Sequence, residues 1–238
     1  MLYVGNDVVD LNDEEVLNKH CDARFIRRVF DPNEQRMISR SGNSCRTLWM
    51  IWASKETAYK ILSKIAWRGP FSPRLLQVGS IICLKKGFFR TKVKCQERQV
   101  DVHIDCQQDR IHAAGRAGVR GTSVENNECF AMAAERQIPS GGIEDLKKSF
   151  TDDELKSIQS QESAWVRHFA KKDLTKQLKI PYAELSIIRR REDFKWGPPQ
   201  VYRNNAVLAI DISLSHHGKW IAWAWSGPTI KKRHEAGC

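Results

Sequence analysis

The feature that most restricts the fold is a weak internal repeat. Phe30-Asp31-Pro32-Asn33-Glu34 has the form F-x-x-x-E, and Phe150-Thr151-Asp152-Asp153-Glu154 has it again 120 positions later. Downstream of the first stands Trp52-Ala53-Ser54-Lys55-Glu56. Downstream of the second, offset by 117, stands Phe169-Ala170-Lys171-Lys172-Asp173. Both read aromatic, two residues, Lys, acid. Two matches in one order at nearly constant offset point to duplicated halves. The ends compare as well. Ser215 to Ala222, shifted by 109, falls on Gln107 to Ala113 with its apolar rhythm kept, although Gln107 stands where His216 would be.

The hydropathy pattern repeats in the same sense. Val4 to Leu11 reads as a short strand with a polar exit. Thr47 to Ser63 reads as a helix, with Leu48, Ile51, Ala58 and Leu62 on roughly one side. Ser80 to Leu84, Thr91 to Cys95 and Val100 to Asp105 read as strands separated by turns. Gly115 to Asn127 is polar and Gly-rich, a natural link. Beyond it come a strand at Cys129 to Glu135, a helical stretch from Asp152 to Leu178 ended by Pro181, and strands at Glu184–Arg189, 200–203, Ile210–Ser215 and Trp220–Trp225. Each half is a strand, helices, then antiparallel strands. The expected class is α+β, a pseudo-dimer of two similar halves, residues 1–122 and 123–238, each a small antiparallel sheet packed on helices.

Composition narrows the functional classes. Of 238 residues 41% are hydrophobic, enough for a packed core. No apolar run approaches the roughly 18 residues of a membrane span, and the opening Met-Leu-Tyr-Val-Gly-Asn-Asp lacks the basic and apolar regions of a secretory signal. The seven cysteines are odd in number and none are spaced C-x-x-C, which argues against a disulfide framework or a cysteine zinc site and fits a reducing cytoplasm. The formal charge of +11 calls for a polyanionic partner, which charge alone does not name.

Four places carry candidate chemistry. Asp7, in Gly5-Asn6-Asp7, sits near the polar end of a strand, where a carboxylate either binds a hard cation through oxygen or forms a turn beside the glycine. Glu56 and Lys60 are four apart on a helix and share a face, either as an ordinary surface pair or as a metal-binding carboxylate beside a phosphate-binding ammonium. Ser215, His216 and the Gly218 backbone, just past a strand, have the groups to grip an anion. Lys195-Trp196-Gly197-Pro198-Pro199 reads as a rigid turn before a strand.

Together these segments resemble the 4'-phosphopantetheinyl transferase superfamily. The resemblance rests on Gly5-Asn6-Asp7, Phe30 to Glu34, Trp52 to Lys60 (W-x-x-K-E-x-x-x-K), Trp196-Gly197-Pro198-Pro199 and Ser213-Leu214-Ser215-His216, and runs from Gly5 to Trp225. The order differs from surfactin-synthetase-type members, whose S-H half comes first; here the G-x-D and K-E motifs lead. The chain looks like two small holo-acyl-carrier-protein synthases fused, with complementary losses. The first half lacks the His; the second has Asp173 for Glu and Gln177 in the place of Lys60. One site between the halves is the expectation.

The resemblance implies transfer of the 4'-phosphopantetheine arm of coenzyme A to a serine of an acidic apo carrier protein, releasing adenosine 3',5'-bisphosphate. It implies Mg2+, with Mn2+ as an alternative, on Asp7 and Glu56, and phosphate stabilisation by Lys60. It further implies Glu56 as the candidate base, and coenzyme A held by Ser215, His216, Gly197 and Pro198. Lys195 and either Arg167 or His168 are further phosphate contacts. Val9 stands where the surfactin type carries a second acid, so a third protein ligand is open; strand alternation turns Asp10 away from Asp7. A monomer is expected from fused halves, with no nucleic-acid or membrane partner. A non-catalytic relative that binds coenzyme A or a carrier, or a basic nucleic-acid-binding module, are the alternatives.

Overall fold

The computed structural model describes residues 2–65, 69–118, 128–139, 143–192 and 195–228. Strand β1 (Leu2–Asp10) leads into helices α1 (Ala23–Val29), α2 (Pro32–Arg40) and α3 (Ser44–Ile65). Strands β2 (Gln77–Val78), β3 (Ile82–Lys85), β4 (Phe88–Cys95), β5 (Arg98–Cys106) and β6 (Arg110–Gly118) follow. They form an antiparallel sheet in the order β1-β6-β5-β4-β2, with β3 attached to β4. The chain then runs through β7 (Glu128–Gln137), α4 (Glu144–Lys147), α5 (Asp152–Lys156) and α6 (Gln161–Leu178). It ends with β8 (Leu185–Glu192), β9 (Lys195–Arg203), β10 (Ala206–His217) and β11 (Trp220–Pro228). This second sheet has the order β7-β11-β10-β9-β8. The two orders match strand for strand. The class is α+β, with antiparallel sheets on helices.

Both cores follow from amphipathic helices. Leu48, Ile51, Ala58 and Leu62 of α3 are buried in one apolar cluster with Val93, Val100, Val102, Ile104 and Ile111 of the first sheet. Val166, Ala170 and Leu174 of α6 are buried with Leu185, Ile187, Val201 and Ile212 of the second. Gly5 lets β1 lie close on α3; a Cβ there would run into the Thr57 carbonyl oxygen. No described helix is long and apolar enough to cross a membrane.

The repeated F-x-x-x-E segment is the start of a helix in both halves, and its glutamate does the same work twice. Asp31 and Thr151 are N-caps, and Glu34 and Glu154 close the capping boxes. Each glutamate then reaches into the core. Glu34 Oε1 accepts from Val78 N at 2.8 Å, while Oε2 meets Lys55 Nζ at 2.7 Å. Glu154 Oε1 accepts from Ile187 N at 2.9 Å, and Oε2 meets Lys171 Nζ at 3.3 Å. The ammonium groups lie over the rings of Phe30 and Phe150 respectively. Both Lys55 and Glu34 side chains are 0% exposed. These motif residues therefore clamp a helix to a strand.

The clamps correct the helix register of the repeat by one residue. The partner of Lys55 is Lys171, not Lys172, so Glu56 corresponds to Lys172, Thr57 to Asp173 and Lys60 to Lys176. Asp173 faces its own sheet, accepting from the indoles of Trp223 (3.3 Å) and Trp225 (3.1 Å), much as Thr57 donates to Ala113 O at 3.2 Å.

Other expectations shift. Gly115 to Gly118 belongs to β6 rather than to a link, and the expected boundary at 122/123 lies outside the described residues. Asp152 to Leu178 is two helices, because Ser160 caps a new one. Trp196 to Pro199 is strand, not turn. These residues pair only with β8, across a register irregularity, so the prolines remove no ladder bond from β10.

The halves meet along the free edge of β1. Its alternate N–H groups are taken by alternate side chains of β10. Val4 N donates to Asp211 Oδ2 (2.6 Å), Asn6 N to Ser213 Oγ (3.0 Å), Val8 N to Ser215 Oγ (3.1 Å) and Asp10 N to His217 Nδ1 (3.3 Å). The outward carbonyls are taken from α3: Lys64 Nζ donates to Val4 O and Lys60 Nζ to Asn6 O, each at 2.8 Å. An edge strand that would otherwise expose its ladder groups is closed by side chains.

Candidate active site

This edge carries Asp7. On β1 the side chain of Asp7 shares the α3 side with Gly5, and α3 presents Glu56 and, one turn on, Lys60. Lys60 Nζ donates to Asp7 Oδ1 at 3.0 Å. Ser215 Oγ donates to the same oxygen at 2.9 Å. Burial first, then the negative Asp7 carboxylate, push the Glu56 carboxyl up to about 7, against the pull of Lys60. The two carboxylates thus repel each other across a gap.

Glu56 and Lys60 line a cavity of about 430 Å³ together with Tyr59, Arg167, Arg189 and His216, and Trp196 to Pro199 form one wall. Arg167, on α6, is almost wholly buried. It donates to Ser163 O (2.9 Å) and Ser157 O (3.1 Å), while its Nε is a buried donor without a partner. Burial, with Arg189 beside it, brings its guanidinium down to about 10. Arg189 donates to Gly197 O (2.7 Å) and Trp196 O (3.1 Å), bracing the wall strand. His216 faces α6; burial, with Lys60, Arg167 and His217 nearby, holds its imidazole below the usual histidine range, and Glu162 opposes them. Lys64 also lines the cavity, but its three protons go to Val4 O, Asp211 and Ile212 O. Lys60 has two bonds of this kind and keeps a third proton.

The structure therefore brings Glu56, Lys60, His216, Gly197, Pro198 and Arg167 to one cavity, with Asp7 hydrogen-bonded behind Lys60. Ser215 is not on the cavity wall; its hydroxyl donates to Asp7 Oδ1 and accepts from Val8 N, while its neighbours Ser213 and His216 line the cavity. His168 is also elsewhere, its Nδ1 3.0 Å from Tyr182 Oη. The side chain of Lys195 lies outside the described residues. Asp10 is spent on a turn, accepting from Asn12 N (3.0 Å) and Lys219 N (3.1 Å). The sequence reading missed Arg189 and Tyr59; an apolar strand ending in arginines was the available signal for the first.

No group of three or more His, Cys, Asp or Glu side chains among the described residues is arranged to hold a metal. Asp7 and Glu56 alone suit a cation that keeps waters and takes its remaining oxygens from a phosphate, as Mg2+ does. Their mutual repulsion is what such a cation would relieve. Matched positions in the second half, Lys172 and Lys176, carry no carboxylate.

Lys60, Arg167 and Arg189 on the cavity wall suit phosphate oxygens, and Glu56 on that wall with Asp7 behind Lys60 suits a cation shared with them. Residues 3–114 match the family model of the 4'-phosphopantetheinyl transferase superfamily. The chain is also similar to the holo-[acyl-carrier-protein] synthase from Neisseria meningitidis, with 20% identity over 50% of this chain and 99% of that one, at a TM-score of 0.37. No curated protein sequence matches it significantly.

Proposed function

We propose that this chain transfers the 4'-phosphopantetheine arm of coenzyme A to a serine of an acidic apo carrier protein, a holo-acyl-carrier-protein synthase activity. The observation that carries the reading is the Asp7–Glu56–Lys60 group opening on a cationic cavity made by both halves. The matched strand orders and twin clamps support two similar halves sharing one such site; on this reading the protein acts as a monomer in the cytoplasm.

The reaction is attack of a hydroxyl on a pyrophosphate phosphorus, where catalysis is chiefly positioning and charge neutralisation. Asp7 and Glu56 are the residues to hold Mg2+ or Mn2+; bound there, the cation would neutralise pyrophosphate oxygens as a Lewis acid. Lys60, with its spare proton, faces the pyrophosphate and the departing phosphate. Glu56, with a carboxyl near neutrality in the free protein, is the candidate to accept the serine proton. Arg167 and His216 offer donors for the remaining phosphate, and the Gly197-Pro198 wall lies where the adenine would rest.

The test is mass spectrometry of apo acyl, polyketide and peptidyl carriers incubated with the protein, coenzyme A and Mg2+. A gain of one phosphopantetheine that EDTA abolishes is expected. No gain on any carrier, and no binding of coenzyme A, overturns the reading.

His216 gives a pH prediction. Its imidazole is held below the usual histidine range in the free cavity, and a phosphate beside it would raise its affinity for a proton. The complex then binds more protons than the free protein, so coenzyme A affinity rises as pH falls through the usual histidine range and levels off below it, by at most ~10-fold per unit for one linked proton. Calorimetric titration of wild type against His216→Ala isolates this part; equal slopes would remove His216 from the phosphate.

A further inference from the structure

Ser215 was expected at the nucleotide, yet its hydroxyl is engaged elsewhere. A serine hydroxyl has one proton to give. Val8 N donates to Oγ at 3.1 Å, which leaves that proton directed at Asp7 Oδ1, 2.9 Å away. Lys60 Nζ meets the same oxygen at 3.0 Å. Two donors, one from each half, thus hold a single oxygen of Asp7, and neither uses Oδ2. Ser215 is itself buried, at 5% exposure. We propose that Ser215 is a positioning residue: it locks Asp7 so that Oδ2 faces the gap beside Glu56, and the second half thereby orients a metal ligand of the first. This rests on the reading that Asp7 and Glu56 hold the divalent cation.

Ser213 supplies an internal control. It lies on the same strand, two residues earlier, and accepts from Asn6 N at 3.0 Å, capping the same edge at the same offset. Its bond serves β1 backbone alone. A capping role predicts equal effects of removing either hydroxyl; a positioning role predicts a difference.

The experiment is titration of the intact protein with Mn2+ alone, followed by electron paramagnetic resonance, for wild type, Ser215→Ala, Ser215→Thr and Ser213→Ala, with melting temperatures recorded alongside. Removing a group that orients a metal ligand weakens metal binding by about 10–100-fold. That loss is expected for Ser215→Ala, with partial recovery in Ser215→Thr and a change below about twofold for Ser213→Ala. In the transfer assay Ser215→Ala needs more Mg2+ while its KM for coenzyme A stays. Three results overturn the proposal: unchanged Mn2+ affinity with weakened coenzyme A binding, equal loss in both alanine variants, or no Mn2+ binding by wild type. If wild type binds Mn2+ and the serine variants differ as expected but no carrier is modified, the transferase reading fails and the positioning role stands.

Discussion

Glu56→Gln is expected to lower carrier modification by about 10³-fold or more, a barrier increase of ~4 kcal/mol, while coenzyme A still binds. The change removes one of two carboxylates that suit the cation and the candidate base together, so no neighbouring group substitutes. Asp7 is already committed to Lys60 and Ser215, and Asp10 to its turn. Coenzyme A affinity without metal should fall little, because Arg167, Arg189, His216 and Lys60 remain on the cavity wall. Stability separates a chemical loss from a folding one. Burial and Asp7 both disfavour the charged Glu56 carboxylate. A neutral, isosteric glutamine relieves that cost, so in EDTA near pH 8 the melting temperature is unchanged or raised. Substantial activity in Glu56→Gln would remove this residue from both roles. Inactivity with a collapsed melting temperature would leave only a structural one.

Asp7 was legible as a strand-end carboxylate and Glu56 with Lys60 as an i,i+4 pair, but only the family resemblance brought the three together. A strand ending in a polar residue and an i,i+4 pair on one helix face require no knowledge of distant packing. Strand order was not legible, although the repeat implied that whatever one half does the other does too. The one-residue register error has a plain cause. Lys171 and Lys172 are adjacent, and aligning Asp173 with Glu56 favoured Lys172. Packing favoured Lys171, which shares a buried stripe of α6 with Arg167. Ser215 and His216 mislead in another way. A motif joins them, but alternation sends one to β1 and the other to α6, and the free edge of β1 exists only once the halves meet. Arg189 was hidden in a run of three arginines on the edge strand β8, where nothing local says which one turns inward.

Lys55→Met is expected to cost about 3–5 kcal/mol, because it strands the Glu34 carboxylate in a dry core. At roughly 2–4 °C per kcal/mol for a chain of this size, the melting temperature falls by about 6–20 °C. The Lys55 ammonium has all three protons satisfied, by Glu34 (2.7 Å), Pro73 O (2.8 Å) and Leu76 O (2.6 Å). Burial opposes charge on both partners, lowering the lysine and raising the glutamate, and the contacts offset it. Lys171→Met should cost less. Its ion pair is longer at 3.3 Å, and the face of Tyr182, 4.3 Å from Nζ, supplies part of its surroundings. Replacing both partners, Lys55→Met with Glu34→Gln, should recover much of the loss, since a neutral side chain no longer needs a counter-charge. The two variants also separate the motif's neighbours. Lys55 and Glu56 are adjacent, yet one points to the core and the other to the cavity. At a temperature where Lys55→Met is folded, its coenzyme A affinity should match wild type. A large drop in affinity with little change in melting temperature would assign Lys55 to the ligand and overturn the clamp.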